Sequence, residues 1–155
     1  MIDTEIEKIK KHNFRNGKIL LVEDNPDQTE IIKLAIKECI PEVELIIAND
    51  PVQALMLLDE MLALKVALPK LILLDLYLPE KEDGWQVLKW IKEHTSSIKM
   101  LPVIILSGSE DQEDIREAYS NGGSAYTVKP LNYASWLDYF NNIRKHWMET
   151  VILPY

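Results

Sequence analysis

The stretch KLILLDLYLP, from Lys70 to Pro79, places a carboxylate at the end of an apolar run. Leu71 to Leu74 have the composition of a strand that is buried on both faces, and Asp75 follows them directly. A carboxylate in the core costs several kcal/mol unless a partner neutralises it or the chain leaves the core at that point. The position of Asp75 in the fold is therefore the first thing to establish.

Similar short runs of strand-forming residues recur along the chain, and helical patterns separate them. The five predicted strands are KILLV (18–22), VELIIA (43–48), LILL (71–74), VIIL (103–106) and AYTV (125–128). Three of them are almost wholly apolar, which is typical of strands with both faces covered. Strict alternation of strands and helices predicts an α/β fold, with a parallel sheet between two helical layers and right-handed crossovers.

The intervening helices have recognisable starts and stops. Asn25 and Asp50 each precede a proline, which combines an N-cap residue with proline at the first helical position. Gly122 and Gly123 form a typical helix C-terminal signal. The five predicted helices start at Pro26, at Pro51 and near Gly84, and the last two span about 110–121 and 132–147.

Composition and charge exclude several classes of protein. The chain has 155 residues and a formal charge of −8, which argues against a surface that binds duplex nucleic acid. No apolar run reaches the length of a membrane span, and the N-terminus lacks the apolar stretch of a signal peptide. We therefore expect no membrane insertion and a cytoplasmic location. The single cysteine, Cys39, lies in an apolar helical pattern and is best explained as a core residue.

Polar side chains follow four of the predicted strands. In open parallel sheets, sites form at the carboxyl ends of the strands, near the point where the strand order reverses. The side chains expected at this edge are Glu23 and Asp24 after the first strand, Asp75 after the third, Ser107 after the fourth and Lys129 after the fifth. Asp75 is therefore expected at the functional edge of the sheet and not in the core.

The three predicted neighbouring carboxylates imply a cation. At about 4 Å and an effective dielectric near 20, each like-charge pair costs about 4 kcal/mol. A set of oxygen ligands with an open side suits Mg²⁺, and no second histidine or cysteine lies near to make a zinc site. For Asp24 alone, helix capping or plain solvation is an equally good interpretation.

The order of four motifs resembles one family. ILLVEDNP, LILLDLYLP, VIILSGS and AYTVKP resemble the receiver domain of two-component response regulators, over roughly Lys18 to Trp147. The resemblance implies a flavodoxin-like (βα)5 fold, which is a doubly wound parallel sheet with strand order 2-1-3-4-5. It also implies a phosphoacceptor signalling protein, and not an enzyme beyond self-phosphorylation and autodephosphorylation.

The resemblance assigns roles to individual residues. Asp75 is the implied acceptor of a phosphoryl group from a histidine kinase. The implied Mg²⁺ ligands are Glu23, Asp24, Asp75 and the backbone carbonyl of Tyr77, Lys129 pairs with the acceptor or the phosphoryl oxygens, and Ser107 and Tyr126 are the switch residues. The family also implies a cis peptide bond between Lys129 and Pro130.

Some of these positions admit other interpretations, and some depart from the family. Ser107 could be a helix N-cap, and Tyr126 could be a half-buried strand aromatic. Glu23 stands where the family often has aspartate, and Gly84 comes one residue later than usual after Asp75. Large side chains near the entrance, Tyr77 and Trp85, could slow the access of water, and Trp85 could equally cover the loop.

The two ends of the chain predict how the chain is divided into segments and how two copies of it associate. We expect an N-terminal extension over residues 1–16, either a small docking helix or a solvated arm, a receiver domain over 17–147 and a tail over 148–155. No output domain is expected after the last helix. The apolar tail residues Val151, Ile152, Leu153 and Tyr155 predict an exposed patch on a monomer. We therefore expect a symmetric homodimer through the fourth helix, fifth strand, fifth helix and tail.

The last helix and tail also resemble those of receivers that are paired with phytochrome-type histidine kinases, so such a kinase is the expected partner. Two alternatives to a phosphoacceptor stay open. One is a receiver-like interaction module that is not phosphorylated. The other is an aspartyl-nucleophile phosphatase of the haloacid dehalogenase type, which typically needs a second aspartate where this chain has Tyr77. A dinucleotide-binding enzyme would need a glycine-rich motif where the chain reads VEDNPD.

Overall fold

Five parallel strands form the centre of the part of the chain that the structure describes. The computed structural model of the chain describes residues 2–154. The strands are β1 (Lys18–Val22), β2 (Glu44–Ala48), β3 (Leu71–Asp75), β4 (Val103–Ser107) and β5 (Ala125–Val128). They are arranged in the order β2-β1-β3-β4-β5. The flavodoxin-like α/β fold and its strand order are therefore confirmed.

Within the described residues, six α-helices accompany the sheet. They are α1 (Ile2–Phe14), α2 (Pro26–Cys39), α3 (Pro51–Ala63), α4 (Lys81–Glu93), α5 (Gln112–Ser120) and α6 (Tyr133–Ile143). Asn25 and Asp50 cap α2 and α3 with their side chains, as predicted. Helix α4 begins three residues before Gly84, because Glu80 and Asp83 form a reciprocal capping box at its start. A 3₁₀ turn (Ser97–Met100) precedes β4, and a π-helical turn (Arg144–Met148) extends α6.

The sheet divides the core into two layers. Side chains of β1, β3 and β4 alternate between the faces, so both faces of these strands are buried. One layer packs α3 and α4 against the sheet, and the other packs α2 and α6. The aromatic residues of α6 belong to this second layer, with the rings of Trp136 and Phe140 stacked at 5.7 Å. None of the described helices is long and apolar enough to cross a bilayer.

Helix α1 docks against the C-terminal end of the chain. The amide of Asn13, which is fully buried, donates to the carbonyls of Met148 at 2.9 Å and Val151 at 2.6 Å. His12 Nε2 lies 3.0 Å from the carbonyl oxygen of Leu153. Of the two alternatives for the N-terminal extension, the structure supports the docking helix.

This docking corrects the expectation that the tail forms an exposed apolar patch. Leu153 is only 3% exposed and Val151 is partly buried, and their backbone carbonyls contact His12 and Asn13 of α1. Ile152 alone fits the expectation, at 75% exposure, and Tyr155 lies outside the described residues. The tail therefore needs no second copy of the chain to cover most of its apolar surface.

The prediction of a cis bond at Lys129–Pro130 is wrong. The cis peptide bond of the described chain joins Leu78 and Pro79, in the loop between β3 and α4. Lys129–Pro130 has the trans form, which most X–Pro bonds in folded proteins adopt.

Candidate functional site

The carboxyl ends of β1 and β3 bring three acidic side chains together. Because these two strands are neighbours in the sheet, the Glu23–Asp24 turn lies directly beside Asp75. One carboxylate oxygen from each of the three residues lies within 4.8 Å of the others. Among the described residues this is the one such group of three or more potential metal ligands. The predicted convergence of these three acids is therefore present in the structure.

Lys129 enters the same site from the end of β5. Its Nζ lies 2.8 Å from Glu23 Oε2 and 3.4 Å from Asp75 Oδ2, so one ammonium group bridges two carboxylates. The backbone N–H of Lys129 donates to the carbonyl of Ser107 at 2.8 Å, which fixes the start of the loop that carries the lysine. One positive charge therefore faces three negative charges.

Asp75 lies at the carboxyl-terminal edge of the sheet, as predicted, but its side chain is more buried than that position implies. Its side chain is 7% exposed, because it is the last residue of β3 and has strands on both sides. Burial and the negative charge of Glu23 raise the pKa of Asp75 to about 7, although Lys129 acts in the opposite direction. The pKa of Asp24 is also raised, first by burial and then by Glu23.

Three carboxylates face the single ammonium group of Lys129, so this group of described residues holds more negative charge than Lys129 neutralises. The donors are all carboxylate oxygens, which hard divalent cations such as Mg²⁺ prefer. Asp24 is exposed, so the group has an open side toward solvent. Glu23, Asp24 and Asp75 therefore fit a magnesium ion, and the backbone carbonyl of Tyr77 is the further ligand that the family resemblance implies.

Replacing Asp75 with asparagine is expected to stabilise the protein above neutral pH in the absence of divalent cations. The pKa of Asp75 is about 7 in the folded protein and has its ordinary value, about 4, in the unfolded chain. Between these two pH values the unfolded chain loses its proton first, so ionisation of Asp75 increasingly destabilises the folded protein as the pH rises. The penalty is absent near pH 4 and complete above about pH 7. We expect Asp75→Asn to raise the free energy of unfolding by about 1–3 kcal/mol at pH 8.

Urea unfolding of both proteins at pH 4.5 and pH 8 in EDTA measures this effect. The difference between the variant and wild type should be small at the lower pH and grow at the higher one. Equal free energies of unfolding at pH 8 would show that the ionised Asp75 carboxylate does not destabilise the folded protein.

Ser107 and Tyr126 both contact the loop between β4 and α5. Ser107 is fully buried, and its Oγ accepts a hydrogen bond from the backbone N–H of Ser109 at 3.1 Å. The hydroxyl of Tyr126 donates to the carbonyl of Ser109 at 2.8 Å. Asp111 is the N-cap of α5, so Ser107 does not have the helix-capping role that was considered for it.

Two residues between the end of β3 and the first turn of α4, Tyr77 and Lys81, contact Asp114 in α5. The hydroxyl of Tyr77 donates to Asp114 Oδ2 at 2.9 Å, and Lys81 Nζ lies 3.0 Å from Asp114 Oδ1. Asp114 has the sequence signature of an ordinary charged helix position, so nothing in its local pattern indicated this role. Trp85 is 8% exposed and belongs to the core layer that packs α3 and α4 against the sheet.

Comparison with known proteins gives a consistent result. The family model for the response regulator receiver domain matches residues 19–151. Response regulator Rcp1 of Synechocystis sp. (strain ATCC 27184 / PCC 6803 / Kazusa) is 34% identical over 137 residues, which cover 88% of this chain and 92% of Rcp1.

Two solved structures are similar over nearly their whole length. One is that of the phosphorylated cyanobacterial phytochrome response regulator RcpA, with a TM-score of 0.80 and 33% identity over 90% of this chain and 99% of that one. The other is the Mn²⁺-bound form of Rcp1, with a TM-score of 0.75, 33% identity and the same coverage. With the fold and the acidic cluster described above, these matches show that the chain belongs to the response regulator receiver domain family.

Proposed function

We propose that this protein is a Mg²⁺-dependent phosphoacceptor that takes a phosphoryl group from a histidine kinase on Asp75. One observation carries the proposal: the Asp75 carboxylate lies beside the Glu23–Asp24 turn, and the ammonium group of Lys129 bridges Asp75 and Glu23. A receiver-like module without phosphorylation would not need this combination of acids and lysine. Two structures of similar proteins, one phosphorylated and one with bound Mn²⁺, support the proposal.

The chemistry requires a nucleophile and positive charge, and little else from the protein. An oxygen of Asp75 attacks phosphorus, a bond between phosphorus and the donor imidazole nitrogen breaks, and an acyl phosphate forms. When bound, Mg²⁺ supplies charge to the phosphoryl oxygens. Lys129 is the protein's own cation at this point, and its contact with Asp75 places the ammonium beside the oxygens that the transferred group would carry.

Ser107 and Tyr126 are the proposed switch. A phosphoryl group on Asp75 brings new acceptor oxygens, and the hydroxyl of Ser107 would move to donate to one of them. Ser107 Oγ would then give up the hydrogen bond from Ser109. Because Tyr126 donates to the carbonyl of the same Ser109, a shift of this loop would release Tyr126 and let α5 change position.

Incubation with the small phosphodonor acetyl phosphate tests the function. We expect the intact mass to rise by one phosphoryl group in Mg²⁺, with no change in EDTA and no change in Asp75→Asn. Modification that persists in Asp75→Asn, or wild type that stays unmodified in Mg²⁺, would contradict the assignment. In the second case the unphosphorylated interaction module becomes the better explanation.

The proposed donor is a sensor histidine kinase of the phytochrome type, acting in the cytoplasm. Support comes from the similarity to RcpA and Rcp1 over most of both chains. The acidic charge of the protein is consistent with a protein partner rather than a nucleic acid.

We also propose a symmetric homodimer, whose surface is formed by α5, β5, α6 and the tail. Large apolar or aromatic side chains on these elements and the adjoining loop are exposed by 40% or more: Tyr119, Val128, Leu131, Tyr133 and Ile152. An apolar surface of this kind favours association. Since Leu153 is buried, the tail contributes less to this surface than the sequence suggests.

Sedimentation velocity measures the association. A dimer is expected in Mg²⁺ with beryllofluoride, an acyl-phosphate mimic, and Leu131→Asp is expected to weaken it, because Leu131 is 98% exposed. Met100→Asp is a matched control, since Met100 is exposed and lies outside this surface. A protein that is monomeric with and without beryllofluoride would contradict the dimer.

A further inference from the structure

A buried carboxylate connects the loop after Asp75 to a different part of the fold. The Asp114 cluster consists of Tyr77, Lys81 and Asp114. The side chain of Asp114, in the first turn of α5, is 4% exposed. It accepts hydrogen bonds from the Tyr77 hydroxyl at 2.9 Å and from Lys81 Nζ at 3.0 Å. One carboxylate on α5 therefore binds both ends of the segment that joins β3 to α4.

The local sequence does not explain why the side chains of Tyr77 and Lys81 take these positions. Lys81 is the first residue of α4, where a positive charge is unfavourable next to the helix dipole. Tyr77 is 40% exposed, and its hydroxyl reaches Asp114 from outside the core. Both side chains gain their polar interactions from α5: Tyr77 from Asp114, and Lys81 from Asp114 and, at 3.6 Å, from Glu117.

Asp114 is an ionised acceptor at neutral pH. Burial alone would raise its pKa, but hydrogen bonds from Ser109, Lys81 and Tyr77 together hold the pKa of Asp114 below its usual value. Hydrogen bonds to an ionised acceptor are among the stronger ones in proteins. The cluster is therefore a firm connection and not a loose surface contact.

The backbone at Tyr77 lies between two buried residues, Leu76 at 0% and Leu78 at 2% exposure. The N–H of Leu76 donates to the carbonyl of Leu106 at 3.1 Å, and the N–H of Leu78 donates to the carbonyl of Glu80 at 3.2 Å. Tyr77 itself makes a long backbone hydrogen bond of 3.4 Å to Asp75 Oδ1 and a shorter side-chain bond of 2.9 Å to Asp114. The bond to Asp114 is therefore the shorter polar contact of Tyr77 itself.

We propose that Asp114 is a positioning residue for the cation site: through the hydroxyl of Tyr77 it holds the loop so that the Tyr77 carbonyl can complete the set of oxygen ligands. This inference rests on the proposed function, because the Tyr77 carbonyl is a ligand only if the acidic cluster holds Mg²⁺. It adds a coupling between cation binding and α5, which must be reciprocal. Binding of the cation would therefore stabilise the position of α5, which belongs to the proposed dimer surface.

Metal titration of three variants tests this inference. Tyr77→Phe removes one hydroxyl and leaves the pair of Asp114 and Lys81 intact, and Asp114→Ala removes the acceptor. Glu42→Ala is the matched control for Asp114→Ala, since it also removes a carboxylate that binds a basic side chain, that of Arg144 at 2.6 Å, away from the acidic cluster and outside the proposed dimer surface. Binding of Mn²⁺ is followed by the electron paramagnetic resonance signal of the free ion, and thermal unfolding confirms that each variant is folded.

We expect Tyr77→Phe and Asp114→Ala each to weaken Mn²⁺ binding by about 3- to 10-fold, with Glu42→Ala within about twofold of wild type. If wild type binds Mn²⁺ and either test variant binds it equally well, the positioning role is overturned and the proposed function stands. If wild type binds no Mn²⁺, both are overturned. A merely structural cluster would change the unfolding temperature and leave the metal affinity of the folded protein unaltered.

Discussion

Replacing Lys129 with methionine is expected to slow phosphorylation of the protein by acetyl phosphate by about 100-fold at pH 7 and saturating Mg²⁺. The ammonium group contacts both Glu23 and Asp75, so its loss removes the protein's own positive charge from the phosphoryl position.

The Lys129→Met variant separates the role of the lysine in phosphoryl transfer from the role of the carboxylates in Mg²⁺ binding. Methionine keeps much of the length of the lysine side chain, and Mg²⁺ binding should be retained, because all three carboxylates remain. Lys145→Met is the control, since Lys145 is exposed on the π-helical turn. A rate for Lys129→Met within about twofold of wild type would show that the lysine does not assist the transfer.

Replacing Gly84 with alanine is expected to destabilise the protein by about 2–3 kcal/mol. A Cβ atom at Gly84 would lie 2.1 Å from the carbonyl oxygen of Leu76 and 2.8 Å from its carbonyl carbon. These are backbone atoms, so the loop after Asp75 must move to admit the methyl group. The loss is expected even though alanine is favoured over glycine inside a helix by about 0.5–1 kcal/mol.

Gly108→Ala provides a close comparison. Gly108 also lies beside the site, but a Cβ there would meet nothing within 4 Å. Its change in unfolding free energy should stay within about 0.5 kcal/mol. Urea unfolding of both variants measures the difference, and equal stabilities would show that the contact between α4 and Leu76 is not a constraint on the loop.

The fold could be predicted from the sequence because its signals are local and repeated. The apolar runs and the Asn25–Pro26 and Asp50–Pro51 helix starts depend on neighbouring residues, and the structure places them as expected. The grouping of Glu23, Asp24 and Asp75 followed from a general property of parallel sheets, whose strands end at one edge. No long-range contact had to be known for either prediction.

The features of the structure that could not be predicted from the sequence depend on contacts between distant residues. The docking of Asn13 on the carbonyls of Met148 and Val151 joins segments more than 130 residues apart, and neither segment indicates it alone. Asp114 has the pattern of a surface residue and acquires its role only when α5 lies beside the loop after Asp75. The degree of burial of Asp75 also depends on both neighbouring strands, so its raised pKa could not be predicted from position in the chain.

The attachment point of the phosphoryl group is the most direct test of the account. After incubation with acetyl phosphate and Mg²⁺, reduction with borohydride converts a phosphorylated aspartate to homoserine, which peptide mass spectrometry locates in the sequence. We predict homoserine at position 75 and at no other aspartate, with none formed in EDTA. Homoserine at Asp24 or at a surface aspartate, with Asp75 intact, would contradict the account.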